Sequence, residues 1–296
     1  MRKWLKRIGL GLGGLAVLAL VAAAALYAVG RSRLERTYEA PPARLAMIPD
    51  DPASVERGRL IATSRGCLEC HGERLGGEVF LDIPPGKIVA PNLTRGRGGV
   101  AGRYADADWD RAVRYGIRPD GHPILPFMPF RLYNRLSDAD AAALIAYLKQ
   151  LPPVDNELPA TEVRVPGYLM VAMMGDDLRG GVDGAPRRAT PPPGPTAEYG
   201  AYFASTVCVE CHGEDLRGGE HPAPDGPPGP SLEAAGTWTY EQFATAMRTG
   251  RAPARTLSEW MPTKYFAELT DTELRALHAY TKTLSQAPRE IQAASN

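Results

Sequence analysis

Two five-residue stretches, Cys67-Leu68-Glu69-Cys70-His71 and Cys208-Val209-Glu210-Cys211-His212, contain every cysteine of the chain. Two thiols one helical turn apart can each add to a vinyl group of haem, and the histidine that follows can turn its imidazole onto the iron. The predicted chemistry is therefore covalent attachment of two c-type haems, with His71 and His212 as iron ligands. Two alternatives use the same thiols. Tetrahedral zinc could draw on paired Cys-x-x-Cys units, but it does not require a histidine directly after the second cysteine in both copies. Disulfides or a thioredoxin-like dithiol leave those histidines unexplained as well.

The surroundings of the two motifs repeat in order, the mark of a duplicated unit. Asp51-Pro52 reads as an N-cap followed by proline at the first helical position, opening a helix that carries Glu56, Gly58 and Leu60 toward Cys67. Thr196 opens its counterpart, with Glu198, Gly200 and Tyr202 in matching places. Past the histidines, Leu75 with Gly76-Gly77 and Leu216 with Gly218-Gly219 mark turns. Pro91-Asn92-Leu93 and Pro230-Ser231-Leu232 lie in loops too rich in proline and glycine for helix or central strand. A metal-bound histidine normally donates its second N–H to a fixed acceptor, and the carbonyls of Pro91 and Pro230 are the candidates.

A middle helix follows, Trp109 to Gly116 matching Phe243 to Gly250 at an offset of 134, with Thr239 and Gln242 as a capping box and the two glycines as stops. Met128-Pro129 and Met261-Pro262 come next, both in loops. A single methionine is more often a core gap-filler than a ligand. Two Met-Pro pairs in register make Met128 and Met261 the candidate sixth ligands, with His122 as the alternative in the first copy. Capped helices from Ser137 and Thr270, at an offset of 133, close the copies.

In this order of elements each copy resembles a class I cytochrome c domain. The resemblance implies a mainly α fold of two tandem class I cytochrome c domains, two covalently bound haem c groups, and helix crossings that set Gly58 against Tyr147 and Gly200 against Tyr280. Ala90-Pro91-Asn92-Leu93-Thr94, Tyr115-Gly116 and Met128-Pro129 further resemble the cytochrome c subunits of membrane-bound bacterial dehydrogenases. Those commonly carry three haem domains, whereas this chain has two motifs.

With 296 residues there is room for two domains and their connectors. High glycine (31) and proline (28) with only 7% aromatics predict loop-rich domains in which buried porphyrin makes up apolar mass. Ile8 to Val29 runs 22 residues without a charge, which predicts a single N-terminal transmembrane helix. The alternative is a cleaved signal peptide. The expected divisions are a membrane anchor over 1–36, a stalk over 37–50, a first domain over 51–153, a Pro/Gly-rich linker over 154–194, a second domain over 195–288 and a tail over 289–296. Within the linker, the apolar stretch with Met170, Met173 and Met174 is expected to pack across the domains or on a partner, and the later prolines to act as a spacer.

Flanking charge decides orientation only weakly. Haem attachment outside the cytoplasmic membrane, which the resemblance implies, predicts a bacterial inner-membrane protein with a cytoplasmic N-terminus and periplasmic haem domains. Beyond residue 36 there are 27 basic against 33 acidic residues, a mildly acidic balance that disfavours nucleic acid and allows steering toward a basic docking surface. An iron held by His and Met can gain and lose an electron with little rearrangement but offers no open position. The expected role is thus a respiratory-chain relay and not an enzyme, taking electrons from a dehydrogenase or quinol-oxidising complex and passing them to a terminal oxidase or small cytochrome. The alternatives are a di-haem peroxidase or thiosulfate-oxidising cytochrome with one iron open, and a haem-based sensor. Matched Met-Pro pairs weigh against the first, and the sequence carries no visible output domain for the second.

Overall fold

The computed structural model describes residues 2–39, 41, 45, 47–175, 177–184, 189–223 and 225–286; the expected tail over 289–296 lies outside the described residues. The protein is mainly helical. α1 (Arg2–Leu34) is one continuous helix, and its apolar side chains are exposed almost throughout. At about 1.5 Å per residue, its uncharged part is roughly 33 Å long, enough to cross the hydrocarbon of a bilayer.

The first repeat runs through α2 (Pro52–Ser64), α3 (Cys67–His71), a hairpin of β1 (Glu78–Ile83) and β2 (Gly86–Ala90), α4 (Asp106–Tyr115), α5 (Phe130–Tyr133) and α6 (Asp138–Lys149). β3 (Glu162–Val163) and α7 (Val165–Met173) follow. The second repeat holds α8 (Ala197–Ser205), α9 (Val209–His212), α10 (Tyr240–Thr249), a short hairpin of β4 (Arg251–Ala252) and β5 (Arg255–Thr256), α11 (Thr263–Phe266) and α12 (Asp271–Gln286). Local chemistry sets the boundaries. Asp51 accepts from Ser54 N at 3.0 Å ahead of Pro52, and Ser137 accepts from Asp140 N at 3.1 Å. Gly116 and Gly250 end the middle helices in the left-handed region, at φ 62° and 74°, where glycine lacks the Cβ penalty.

The chain divides into two compact units, and the division passes through the first repeat. One unit comprises 1–43, 70–131 and 152–184; the other comprises 44–69, 132–151 and 185–296. In the first, Tyr115, Ile117, Phe130 and Val182 form a buried cluster on which Met128 and Tyr38 pack. The segment directly after α6 folds back onto the first unit. Arg97 N donates to the Asp155 carboxylate at 2.8 Å, Asn156 Nδ2 donates to the Gly76 and Gly77 carbonyls, and β3 extends the β1–β2 hairpin. α7 packs on the end of α1 within the same unit.

In the second unit, α2 crosses α6 and α8 crosses α12 in the same way. A Cβ on Gly58 would stand 2.0 Å from the Ala143 carbonyl oxygen and 2.8 Å from Tyr147 Cβ; on Gly200 it would stand 2.1 Å from the Ala276 oxygen and 2.9 Å from Tyr280 Cβ. Only glycine permits backbones this close. The two helix pairs are joined by a buried polar network. Arg57 donates through Nε and Nη2 to Asp140, each at 3.0 Å, and through Nη1 to Glu273 at 2.7 Å. Tyr202 donates its hydroxyl to Asp140 at 2.8 Å. Burial pushes the Asp140 carboxyl up, but Arg57, Tyr202 and Arg65 outweigh burial and hold it below the usual carboxylate range.

Candidate functional site

Each haem-attachment motif forms a short helix directly after a turn that ends the preceding helix, so its two cysteines lie one helical turn apart. None of the four cysteines is paired in a disulfide. Burial pushes Cys67 up to about 11, Cys208 up to about 12 and Cys211 up to about 11. A redox-active dithiol needs the opposite shift, since the thiolate is the reactive form. Among the described residues no three His, Cys, Asp or Glu side chains converge as a zinc site would require. The thiols fit thioether anchorage instead.

His71 Nδ1 donates to the Pro91 carbonyl at 2.8 Å, and His212 Nδ1 donates to the Pro230 carbonyl at 2.7 Å. Each bond fixes the tautomer and leaves Nε2 with its lone pair for a metal. Burial lowers both imidazoles below the ordinary histidine value, with the proline carbonyl opposing it, so both are neutral at pH 7, the form that binds iron.

The proline loops are held by a device that sequence reading did not anticipate. Leu75 and Leu216 are buried in the left-handed region, at φ 54° and 59°. Such a conformation costs a non-glycine residue of order 1–3 kcal/mol and persists where the surroundings over-determine it. Here Leu75 N donates to the Gly72 carbonyl at 2.9 Å and Leu216 N to the Gly213 carbonyl at 3.0 Å. The Leu75 and Leu216 carbonyls in turn accept from Leu93 N and Leu232 N, both at 2.9 Å. Gly77 N and Gly218 N close back onto the His71 and His212 carbonyls, again at 2.9 Å. The turn after each motif thus braces the loop that orients its histidine. The only signal in the sequence was the shared leucine position.

Met128 and Met261 are half-buried in matching turns. Met128 N donates to the Leu125 carbonyl at 3.2 Å and Met261 N to that of Ser258 at 2.9 Å; Phe130 N and Thr263 N then donate back to the methionine carbonyls. His122, the alternative ligand, has Nδ1 3.3 Å from the Asp120 carboxylate. His278 is committed elsewhere, with Nε2 donating to the Trp238 carbonyl at 2.9 Å, and His221 packs edge-on to Trp260 at 4.7 Å.

The residues fit two haems. Beyond the motif cysteines and oriented imidazoles, the indole Nε1 of Trp109 is buried and has no hydrogen-bond partner among the described residues, a donor suited to a haem propionate. Arg65, also missed from sequence, lies buried in the second unit. Its Nε donates to Thr206 Oγ1 at 3.1 Å, and its guanidinium lies 3.8 Å from the centre of the Phe203 ring. Arg65 and Thr206 each stand two residues before the first cysteine of a motif, and the charge of Arg65 reaches both Cys67 and Cys208.

The sequence model of the cytochrome c family matches residues 55–152 and 197–285. The chain is 29% identical to a nicotinate dehydrogenase subunit of Pseudomonas putida over 81% of its own length and 22% of the relative's. It is 29% identical to the cytochrome c subunit of the quinone alcohol dehydrogenase of Gluconacetobacter polyoxogenes, over 82% of this chain and 59% of that one. With a di-haem c-type cytochrome of Cereibacter sphaeroides it shares 26% identity over 91% of this chain and 96% of the relative. It therefore spans between a fifth and three-fifths of these two dehydrogenase subunits and nearly all of the di-haem protein.

Proposed function

The chain belongs to the cytochrome c family, and from that premise we propose that it relays electrons from a dehydrogenase or quinol-oxidising partner toward a terminal oxidase or a soluble cytochrome. It carries two covalently bound haem c groups. When bound, haem iron supplies a one-electron couple; the chain's own residues decide that nothing else happens there. Cys67, Cys70, Cys208 and Cys211 anchor the groups, and His71 and His212 present Nε2. Met128 and Met261 would supply the remaining iron ligands and leave no position for a substrate.

The observation that carries the reading is the matched pair of histidine–proline hydrogen bonds, 2.8 and 2.7 Å, on matched leucine-braced loops. Both repeats present the histidine alike and set a methionine in a matching turn, as a relay with two closed irons requires, whereas an enzyme with one open iron needs only one such methionine. The Arg65–Thr206 bond supports passage of the electron from one haem to the other inside the chain, because it links side chains two residues ahead of both motifs. Dehydrogenase subunits among the relatives favour a dehydrogenase as donor.

α1 spans the bacterial inner membrane once, with its N-terminus cytoplasmic and the haem-binding repeats, 51–153 and 195–288, periplasmic. A retained anchor is favoured over a cleaved signal because Tyr27, Gly30 and Arg33 are packed or bonded to α7, contacts that cleavage after the Ala-rich stretch would remove.

Two measurements test the reading. Carbon monoxide added to the reduced protein should leave the visible spectrum almost unchanged at neutral pH if His and Met hold each iron; a prompt Soret shift would favour the peroxidase or sensor. The oxidised protein should show the weak red band of Fe–S(Met) ligation, halved by either Met128→Ala or Met261→Ala. An unchanged band in Met128→Ala would move the assignment to His122.

A further inference from the structure

α7 (Val165–Met173) carries no charged side chain, yet only one side of it is covered. Gly167 and Val171 are buried, whereas Val165, Met170 and Met173 are 60%, 51% and 73% exposed. At about 3.6 residues per turn, Val165, Pro166, Leu169, Met170 and Met173 fall on one arc opposite Gly167 and Val171. A helix that is apolar all round belongs in an apolar surround, and an open apolar face marks an interaction site.

What covers that face follows from where α7 sits. It packs on the last turns of α1, from Tyr27 near the end of the uncharged run to Arg33 beyond it. The Tyr27 and Tyr168 rings meet edge to face with centres 4.9 Å apart. A Cβ on Gly30 would stand 1.9 Å from the Tyr168 carbonyl oxygen, so the two backbones touch. Arg33 Nη1 donates to the carbonyls of Val171 at 3.0 Å and Ala172 at 2.8 Å, and also to that of Met174. The orphan carbonyls at the end of α7 are therefore satisfied from α1 without water. If α1 crosses a bilayer over residues 8–29, residues 27–33 lie at its surface, and so does whatever packs on them. Tyrosine and arginine are the residues expected at that depth.

We propose that α7 is a second membrane contact, a short helix lying in the plane of the bilayer interface beside the exit of α1, with its Val165–Met170–Met173 face among the lipid headgroups and upper acyl chains. Interfacial helices bury an apolar face about 5–10 Å into this zone. The contact holds the compact unit containing His71 at a set height and tilt on the membrane, instead of on a free tether. The inference rests on α1 being a bilayer span.

The test uses full-length, haem-loaded protein in vesicles of phosphatidylethanolamine and phosphatidylglycerol that include a phospholipid with a diazirine in its acyl chain. After irradiation, mass spectrometry should find lipid adducts in the peptides of α1 and in 165–174. With the native cysteines consumed by haem, Met173→Cys should also react at least tenfold more slowly with a membrane-impermeant maleimide than Thr283→Cys. Adducts in α1 but none in 165–174 would overturn the inference and leave the span intact; no adducts in α1 would remove the span itself. An introduced thiol at position 173 that is both slow and free of lipid adducts would mean that a second copy of the chain covers α7, which also overturns the proposal.

Discussion

The proline loop under His71 is pinned from within, and the one under His212 from the surface. In the first repeat, Asn92 is buried and donates Nδ2 to the Val154 carbonyl at 2.7 Å and to that of Arg97 at 3.3 Å. Its Oδ1 accepts from Thr94 N at 2.9 Å and Thr94 Oγ1 at 2.8 Å. In the second repeat the matching residue is Ser231, whose hydroxyl meets Glu233 at 3.2 Å, and Glu233 pairs with Arg217 in a partly exposed contact. The middle helices differ in the same sense. α4 has Trp109 and a buried Asp110–Arg114 pair at 2.6 Å, while α10 has Phe243, Ala244 and Arg248 in those places. The backbone device that aims the histidine is thus kept in both copies, and its polar surroundings are not. Hydrogen bonding and burial around a haem tune its potential, so the two irons are expected to sit at different potentials on one scaffold.

The comparison can be broken most sharply at the thiols. Cys67→Ser with Cys70→Ser, and separately Cys208→Ser with Cys211→Ser, should each lower the intact mass by one haem and leave the other in place. Loss of both haems from either variant would show that the repeats do not hold their groups independently.

The contrast between the loops predicts an unequal pair. Asn92→Ala leaves buried partners unsatisfied and should destabilise by about 2–4 kcal/mol in denaturant titration, while Ser231→Ala, at a partly exposed ion pair, should cost less than about 1 kcal/mol. Equal costs would mean that the buried amide is not what holds the first loop.

The likeness between the repeats predicts a matched pair. Gly58→Ala and Gly200→Ala each force a methyl into a neighbouring carbonyl and should cost about 1–3 kcal/mol apiece. A difference larger than that range would show that one crossing relaxes and the other does not. The smallest effect is confined to acid. Asp140 has its folded value held below the unfolded one, so its pairing with Arg57 stabilises above the unfolded carboxylate value near 4 and is lost as pH falls through the lower folded value. Stability should be flat in this respect from pH 5 to 8, and Arg57→Met should move the acid-unfolding midpoint upward.

Sequence alone determined what is settled over a few residues. The Cys-x-x-Cys-His chemistry, the caps at Asp51, Ser137 and Thr239 and the stops at Gly116 and Gly250 depend on side chains bonding to backbone within a turn, so their types and spacing carry the information. Even the histidine acceptors, 20 and 18 residues away, were legible, because duplication placed a proline in each copy. The tertiary structure decided the rest. Leu75 and Leu216 look like ordinary core leucines until long-range burial and the bonds from Leu93 and Leu232 hold them at positive φ. Arg65 and Thr206 match in position but not in type, and nothing in either residue announces the other until the helix pairs pack. The return of residues 154–163 onto the β1–β2 hairpin and the seat of α7 on α1 pair segments that lie far apart along the chain. Such contacts form only when surface elsewhere is buried at the same time, and no local spacing can encode that.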